Sequence, residues 1–171
     1  MRPLTVPGEA QLHAAAARLG EILRERHWRL ATAESSTAGL IGHAITMVPG
    51  ASEYYVGGVI CYSNLAKEVE VGVPGDLIEH CGAVSEEVAS AMADGVRRRF
   101  GVDVGVAVTG IAGPEGATET KPIGRHFIAV ARVGHPAVVE QVDFRHGRDG
   151  NRSAATLHAL EMAAREAASE A

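Results

Sequence analysis

Two runs of this chain, residues 57–62 and 103–108, are almost continuously apolar, and stretches with helical periodicity lie between and around them. A strand without polar–apolar alternation is covered on both faces, and covering both faces needs helices above and below a sheet. Residues 28–33 read as a further strand. Before it, Leu12, Ala15, Ala16, Leu19, Ile22 and Leu23 recur at helical spacing. After it, Leu40, Ile41, Ala44, Ile45 and Val48 do the same until Pro49-Gly50 stops the helix. The 57–62 run, nearly all apolar, is predicted to be a central strand.

The remaining elements follow in order. A short helix is predicted through 66–69 and a helical turn over 76–80. Ser85-Glu86-Glu87 combines a cap with first-turn acids, and Val88, Met92, Val96 and Phe100 mark the buried face that follows. Residues 127–133 and 138–144 predict a hairpin turning at Gly134-His135-Pro136. Asp149 is predicted to cap a last helix whose face carries Ala154, Leu157, Leu160, Ala164 and Ala167. The expected fold is a single α/β domain. It has three α/β/α layers, a mixed, mostly parallel sheet, and a C-terminal hairpin plus helix. Residues 1–9 are expected to form a mobile lead-in.

Composition narrows the function. With 46% hydrophobic and 22% charged residues among 171, the chain suits one folded domain. A net charge of -5 and the lack of a basic stripe argue against nucleic acid as a partner. Arg97-Arg98-Arg99 falls at a predicted helix end, where cations complement the dipole. No apolar run approaches a membrane span, so a membrane partner is not expected and the expected compartment is the cytoplasm. Cys61 and Cys81 make no disulfide framework, and no two of the eight histidines stand four apart on one helix. No metal and no cofactor is therefore expected. The expected partner is a small molecule, and assembly as a homo-oligomer is left open.

In α/β sheets ligands collect where strands exit toward helices. Three exits stand out: Glu34-Ser35-Ser36-Thr37, Tyr62-Ser63-Asn64 and Thr109-Gly110. If their strands are parallel neighbours, the three share one crevice. The hydroxyls after the first strand can cap the next helix, or one of them can be a nucleophile at its N-terminus. Ser35, Ser36, Thr37 and Ser63 all remain candidates. Lys67, four residues after Ser63, is either a surface lysine or a base. To act as a base it must fall from a pKa near ~10.4 to roughly 7–8, which desolvation in a crevice can do. Tyr62 can relay a proton or orient that lysine. The loop from Thr109 through Gly110, Ile111, Ala112 and Gly113 to Gly116 offers N–H groups to an anion but has no Walker A lysine. Arg145, Arg148 and Arg152 lie near the start of the last helix, suited either to the surface or to a phosphate.

Taken together, Thr32-Ala33-Glu34-Ser35 with Thr37 and Gly39, Gly58 with Tyr62-Ser63-Asn64 and Ala66-Lys67, Gly82-Ala83-Val84-Ser85, and Thr109-Gly110-Ile111-Ala112-Gly113-Pro114 resemble the CinA C-terminal domain family, the nicotinamide-nucleotide amidases. The resemblance covers roughly residues 10–165. It implies metal-independent hydrolysis of the carboxamide of nicotinamide mononucleotide to nicotinate mononucleotide and ammonia. It implies Ser35 as nucleophile, Lys67 as base, Tyr62 in support, and substrate binding by the 109–114 loop. Glu34, Ser36, Thr37, Gly39, Asn64 and Arg148 complete the expected binding set. Longer relatives carry a further pyrophosphatase domain, so the stand-alone form is expected. The family usually reads Glu-Ser-Cys-Thr-Gly-Gly, where this chain has Ser36 for the cysteine and Ala38 for the first glycine. It also often has Phe-Pro-Gly-Asp-Arg where this chain has Phe144-Arg145-His146-Gly147-Arg148. These departures make a non-catalytic nucleotide-binding or regulatory module of the same fold the rival reading.

Overall fold

The computed structural model describes residues 5–169. One five-stranded sheet is assembled from β1 (Leu30–Glu34), β2 (Tyr55–Ile60), β3 (Val104–Gly110), β4 (Arg125–Arg132) and β5 (Val138–Asp143), in the order β2-β1-β3-β4-β5. β1 pairs in parallel with both β2 and β3, while β4 is antiparallel to β3 and β5. Only β4 is therefore reversed, and the sheet is mixed as expected. β3 and β4 are buried along nearly their whole length, as their apolar runs require.

Helices cover both faces. α1 (Glu9–Arg26), α2 (Leu40–Thr46) and α6 (Arg148–Ala168) share a core with Leu30, Val104, Val106, Val108, Ile128 and Val130. α3 (Asn64–Val71), α4 (Gly75–Cys81) and α5 (Glu86–Phe100) pack on Ala31, Ala33, Ala107, Ala129 and Ala131. Period-two alternation thus sorts β-branched and large residues to one face and alanines to the other. The small face lets α5 come close. A Cβ at Gly105 would lie 2.2 Å from the Ala93 carbonyl oxygen, so only glycine fits.

Three expectations are corrected. β2 is an edge strand, not a central one. Continuous apolarity overstates its cover as well as its neighbours, since no residue of β2 is buried and Ile60 at its end is 55% exposed. Asp149 lies inside the first turn of α6, whose N-cap is Gly147. The lead-in is shorter than expected, since Glu9 opens α1 and the Ser153 hydroxyl donates to the Pro7 carbonyl at 2.6 Å. Residues 1–4 of that segment lie outside the described residues. Ser85 does cap α5, accepting from the Val88 N–H. The short helix expected over 66–69 is longer, running from an N-cap at Ser63.

Candidate active site

Because β1, β2 and β3 are parallel neighbours, their C-terminal ends deliver all three exits to one edge of the sheet. A cavity of about 270 Å³ opens there. Ser35, Ser36, Tyr62, Asn64, Lys67, Thr109, Gly110, Ile111, Ala112, Gly113 and Arg148 all line it. Glu34, Thr37 and Gly39 do not, although they were expected to bind substrate.

Glu34 has a different task. Its Oε2 accepts from the N–H groups of Gly39 and Ile41, both at 3.0 Å, and its Oε1 accepts from Gly42 at 2.9 Å. This buried carboxylate caps α2, the role that hydroxyl residues at a helix start usually fill. The hydroxyl of Ser35 is thereby free for other partners. Ser63 is not free in this way, because its hydroxyl accepts from the Ala66 N–H as the cap of α3.

Lys67 reaches Ser35 from α3. Its Nζ lies 3.1 Å from Ser35 Oγ, 3.0 Å from the Cys61 carbonyl oxygen and 3.4 Å from that of Tyr62. None of these partners is a carboxylate, and Lys67 is only 2% exposed. Burial pushes its pKa below the ordinary lysine value, with nearby Cys61 acting weakly the other way. Burial also pushes the Cys61 thiol up to about 11, so it supplies no counter-charge at neutral pH. A neutral amine has two hydrogens and one lone pair. When the amine is neutral, the two carbonyls can take its hydrogens and its lone pair can accept from the Ser35 hydroxyl.

Tyr62 meets this lysine through its carbonyl, not through its phenol as a relay would require. The exposed phenol oxygen instead accepts from Arg148 Nη2 at 3.3 Å. Arg148 Nη1 donates to the Gly113 carbonyl at 2.7 Å, which fixes the arginine at the cavity mouth beside the glycine loop. Arg145 does not line the cavity. Gly110 has a packing reason to be glycine, because a Cβ there would lie 2.2 Å from the buried His126 ring. The Thr109 hydroxyl donates to the Ala83 carbonyl at 2.7 Å, drawing the 82–85 segment to the cavity wall.

Ala38 carries φ +49°, a left-handed conformation that glycine adopts without strain. This accounts for glycine at the corresponding family position through backbone conformation rather than substrate approach.

Sequence reasoning did not find every contributor. Ala83, Val84, Glu115 and Gly116 also line the cavity; the Gly82-Ala83-Val84-Ser85 motif pointed toward the first two and the 109–116 loop toward the others, but none was named as a binding residue. Asn151 is fully buried and bridges two loops. Its Nδ2 donates to the Ala112 carbonyl, and its Oδ1 accepts from the His146 N–H. Arg152 donates from Nε to the Ser36 carbonyl at 3.2 Å and from Nη2 to the Thr37 carbonyl at 3.0 Å.

A family model described as the CinA C-terminal domain matches residues 12–167. The chain belongs to the CinA C-terminal domain family. This CinA domain is 46% identical over 145 residues to a CinA-like protein of Synechocystis sp., covering 84% of this chain and 35% of that protein. It is 54% identical over 126 residues to a CinA-like protein of Mycolicibacterium paratuberculosis, covering 73% and 29% respectively. The CinA domain thus spans about a third of the length of the curated relatives it matches. Among solved structures, it superposes on the competence/damage inducible protein CihA from Agrobacterium tumefaciens with a TM-score of 0.87. That pair is 34% identical, with 92% of this chain and 95% of that one covered. No described helix of the CinA domain is long and apolar enough to cross a membrane.

Proposed function

We propose that this CinA domain is a nicotinamide-nucleotide amidase, hydrolysing the carboxamide of nicotinamide mononucleotide to nicotinate mononucleotide and ammonia. The observation that carries the reading is the 3.1 Å contact between Ser35 Oγ and a buried Lys67 Nζ whose other partners are two carbonyls. A hydroxyl attacks an amide only when a base takes its proton, and a desolvated lysine is such a base. In the proposed reaction Ser35 Oγ bonds to the carboxamide carbon while its proton passes to Lys67 Nζ. The tetrahedral adduct then collapses, its C–N bond breaks, and ammonia leaves with the proton from Lys67. Water, deprotonated by Lys67, attacks the resulting ester and releases the carboxylate together with the Ser35 hydroxyl.

Arg148 and the 110–113 loop at the cavity mouth supply donors suited to a phosphate. The family resemblance supports the pyridine nucleotide as the small-molecule partner, and no step requires a metal or cofactor. The test is ammonia release from nicotinamide mononucleotide by purified protein, with and without EDTA. The proposal expects steady release in both conditions. Binding of the nucleotide without release would instead favour a non-catalytic module, and release abolished by EDTA would exclude the metal-independent route.

A further inference from the structure

We propose that Arg152 is a positioning residue that fixes the N–H groups of Ser36 and Thr37 as donors to the negatively charged oxygen of the tetrahedral adduct. The inference rests on the amidase reading above. It begins from the fate of each backbone N–H around the nucleophile. Ser35 N donates to the Val108 carbonyl, Ala38 N to Ser35 and Leu40 N to Thr37. The N–H groups of Gly39, Ile41 and Gly42 all go to Glu34. Those of Ser36 and Thr37 have no partner among the described residues. Both residues are buried, at 6% and 0% exposure; Ser36 lines the cavity and Thr37 lies directly behind it in the turn. Buried backbone donors are nearly always paired, so two adjacent exceptions directly after a candidate nucleophile point to an acceptor that arrives with the substrate. The donors belong to the turn and not to the helix start, because Glu34 already occupies the first N–H groups of α2.

The orientation of these donors is imposed from behind. In a trans peptide the C=O and the following N–H point in opposite directions. Arg152 holds the Ser36 carbonyl, which turns the Thr37 N–H away from Arg152. The Ala38 N–H holds the Ser35 carbonyl at 3.2 Å, which fixes the direction of the Ser36 N–H in the same way. Arg152 also holds the Thr37 carbonyl, so the turn is gripped at two successive peptide units. α6, which carries Arg152, and α3, which carries Lys67, pack on opposite faces of the sheet. The Thr37 N–H, turned away from Arg152, therefore points to the side from which Lys67 approaches Ser35. When Ser35 Oγ bonds to the carbonyl carbon, the C=O electron pair moves onto oxygen, and preorganised N–H groups stabilise it there.

The test compares wild type with Arg152→Ala and Arg152→Lys, each first shown to be folded by circular dichroism. Lysine keeps the charge but replaces the planar fork, whose Nε and Nη2 each hold one carbonyl, with a single ammonium nitrogen. With nicotinamide mononucleotide, kcat is expected to fall about 100-fold in both variants while KM stays within about threefold. Millimolar guanidinium is expected to restore at least tenfold of the Arg152→Ala loss. A kcat within threefold of wild type in either variant, or a loss that guanidinium does not relieve, would overturn the inference. Labelling of Ser35 by a fluorophosphonate supplies a readout independent of the nucleotide, because its P=O oxygen needs the same donors. Labelling is expected to slow by at least about tenfold in Arg152→Ala. If wild type releases no ammonia, the amidase reading fails, and unchanged labelling of the variant would overturn the Arg152 role separately.

Discussion

Replacing Glu34 by glutamine should unfold the protein more easily while changing almost nothing in its shape. The carboxylate accepts three backbone N–H groups, two on Oε2 and one on Oε1. A glutamine carbonyl can keep the Gly39 and Ile41 pair, but its NH₂ then faces the Gly42 N–H, donor against donor. One bond to a charged acceptor is lost, worth about 1.5–3 kcal/mol, and a donor in this buried setting is left unpaired. The combined loss is estimated at about 2–4 kcal/mol. For a chain of 171 residues this corresponds to a fall in Tm of roughly 6–12 °C. Urea unfolding followed by circular dichroism gives the difference directly, provided the m-value stays constant. The same variant should lose turnover, because the turn that carries Ser35 is anchored by this cap. A change in unfolding free energy below about 0.5 kcal/mol would refute the view that Glu34 holds the start of α2.

Further predictions follow from single features of the site. Ala38→Gly should raise stability by about 0.5–1 kcal/mol, since a left-handed alanine costs roughly 1–2 kcal/mol and glycine's extra chain entropy offsets part of the gain; a lower Tm would contradict this. Because Lys67 must be neutral to accept a proton, kcat/KM should rise with pH along a limb whose midpoint lies below the ordinary lysine value of 10.5, and a midpoint at or above that value would count against the base. The same depressed pKa has a stability signature. Between its folded and ordinary values the unfolded chain binds more protons, so Lys67 destabilises fully at low pH and ceases to do so above 10.5. Lys67→Met should therefore remove a rise in unfolding free energy across that window, which urea titrations at several pH values would detect. Nicotinamide riboside, which lacks the phosphate that the proposed function assigns to Arg148, should show a kcat/KM at least ~10-fold below the mononucleotide; equal values would remove the phosphate role.

Periodicity made the architecture legible, because covered strands and amphipathic helices leave their patterns in adjacent residues. The apolar run at β3 and the spacing along α5 are such cases. Strand order is different, since nothing in residues 55–60 records how many neighbours the strand will have. The site divides along the same line. Ser35 and Lys67 follow strand exits that meet if β1 and β2 are parallel neighbours, a condition that the pairing of the two strands supplies. The pairing of Glu34 with α2 was local yet hidden, because the adjacent hydroxyls looked like the natural caps. Arg152 and its partner Ser36 are separated by 116 positions, and no local pattern announces a contact of that range. Asn151 is hidden for the same reason, gripping Ala112 across 39 positions.

The central claim is that Ser35 attacks the carboxamide with Lys67 as its base. The most direct measurement is the rate of ammonia release from nicotinamide mononucleotide by Ser35→Ala, in protein whose circular dichroism spectrum matches wild type. The proposed mechanism predicts a kcat at least ~100-fold below wild type. Near-wild-type turnover in that folded variant would contradict it.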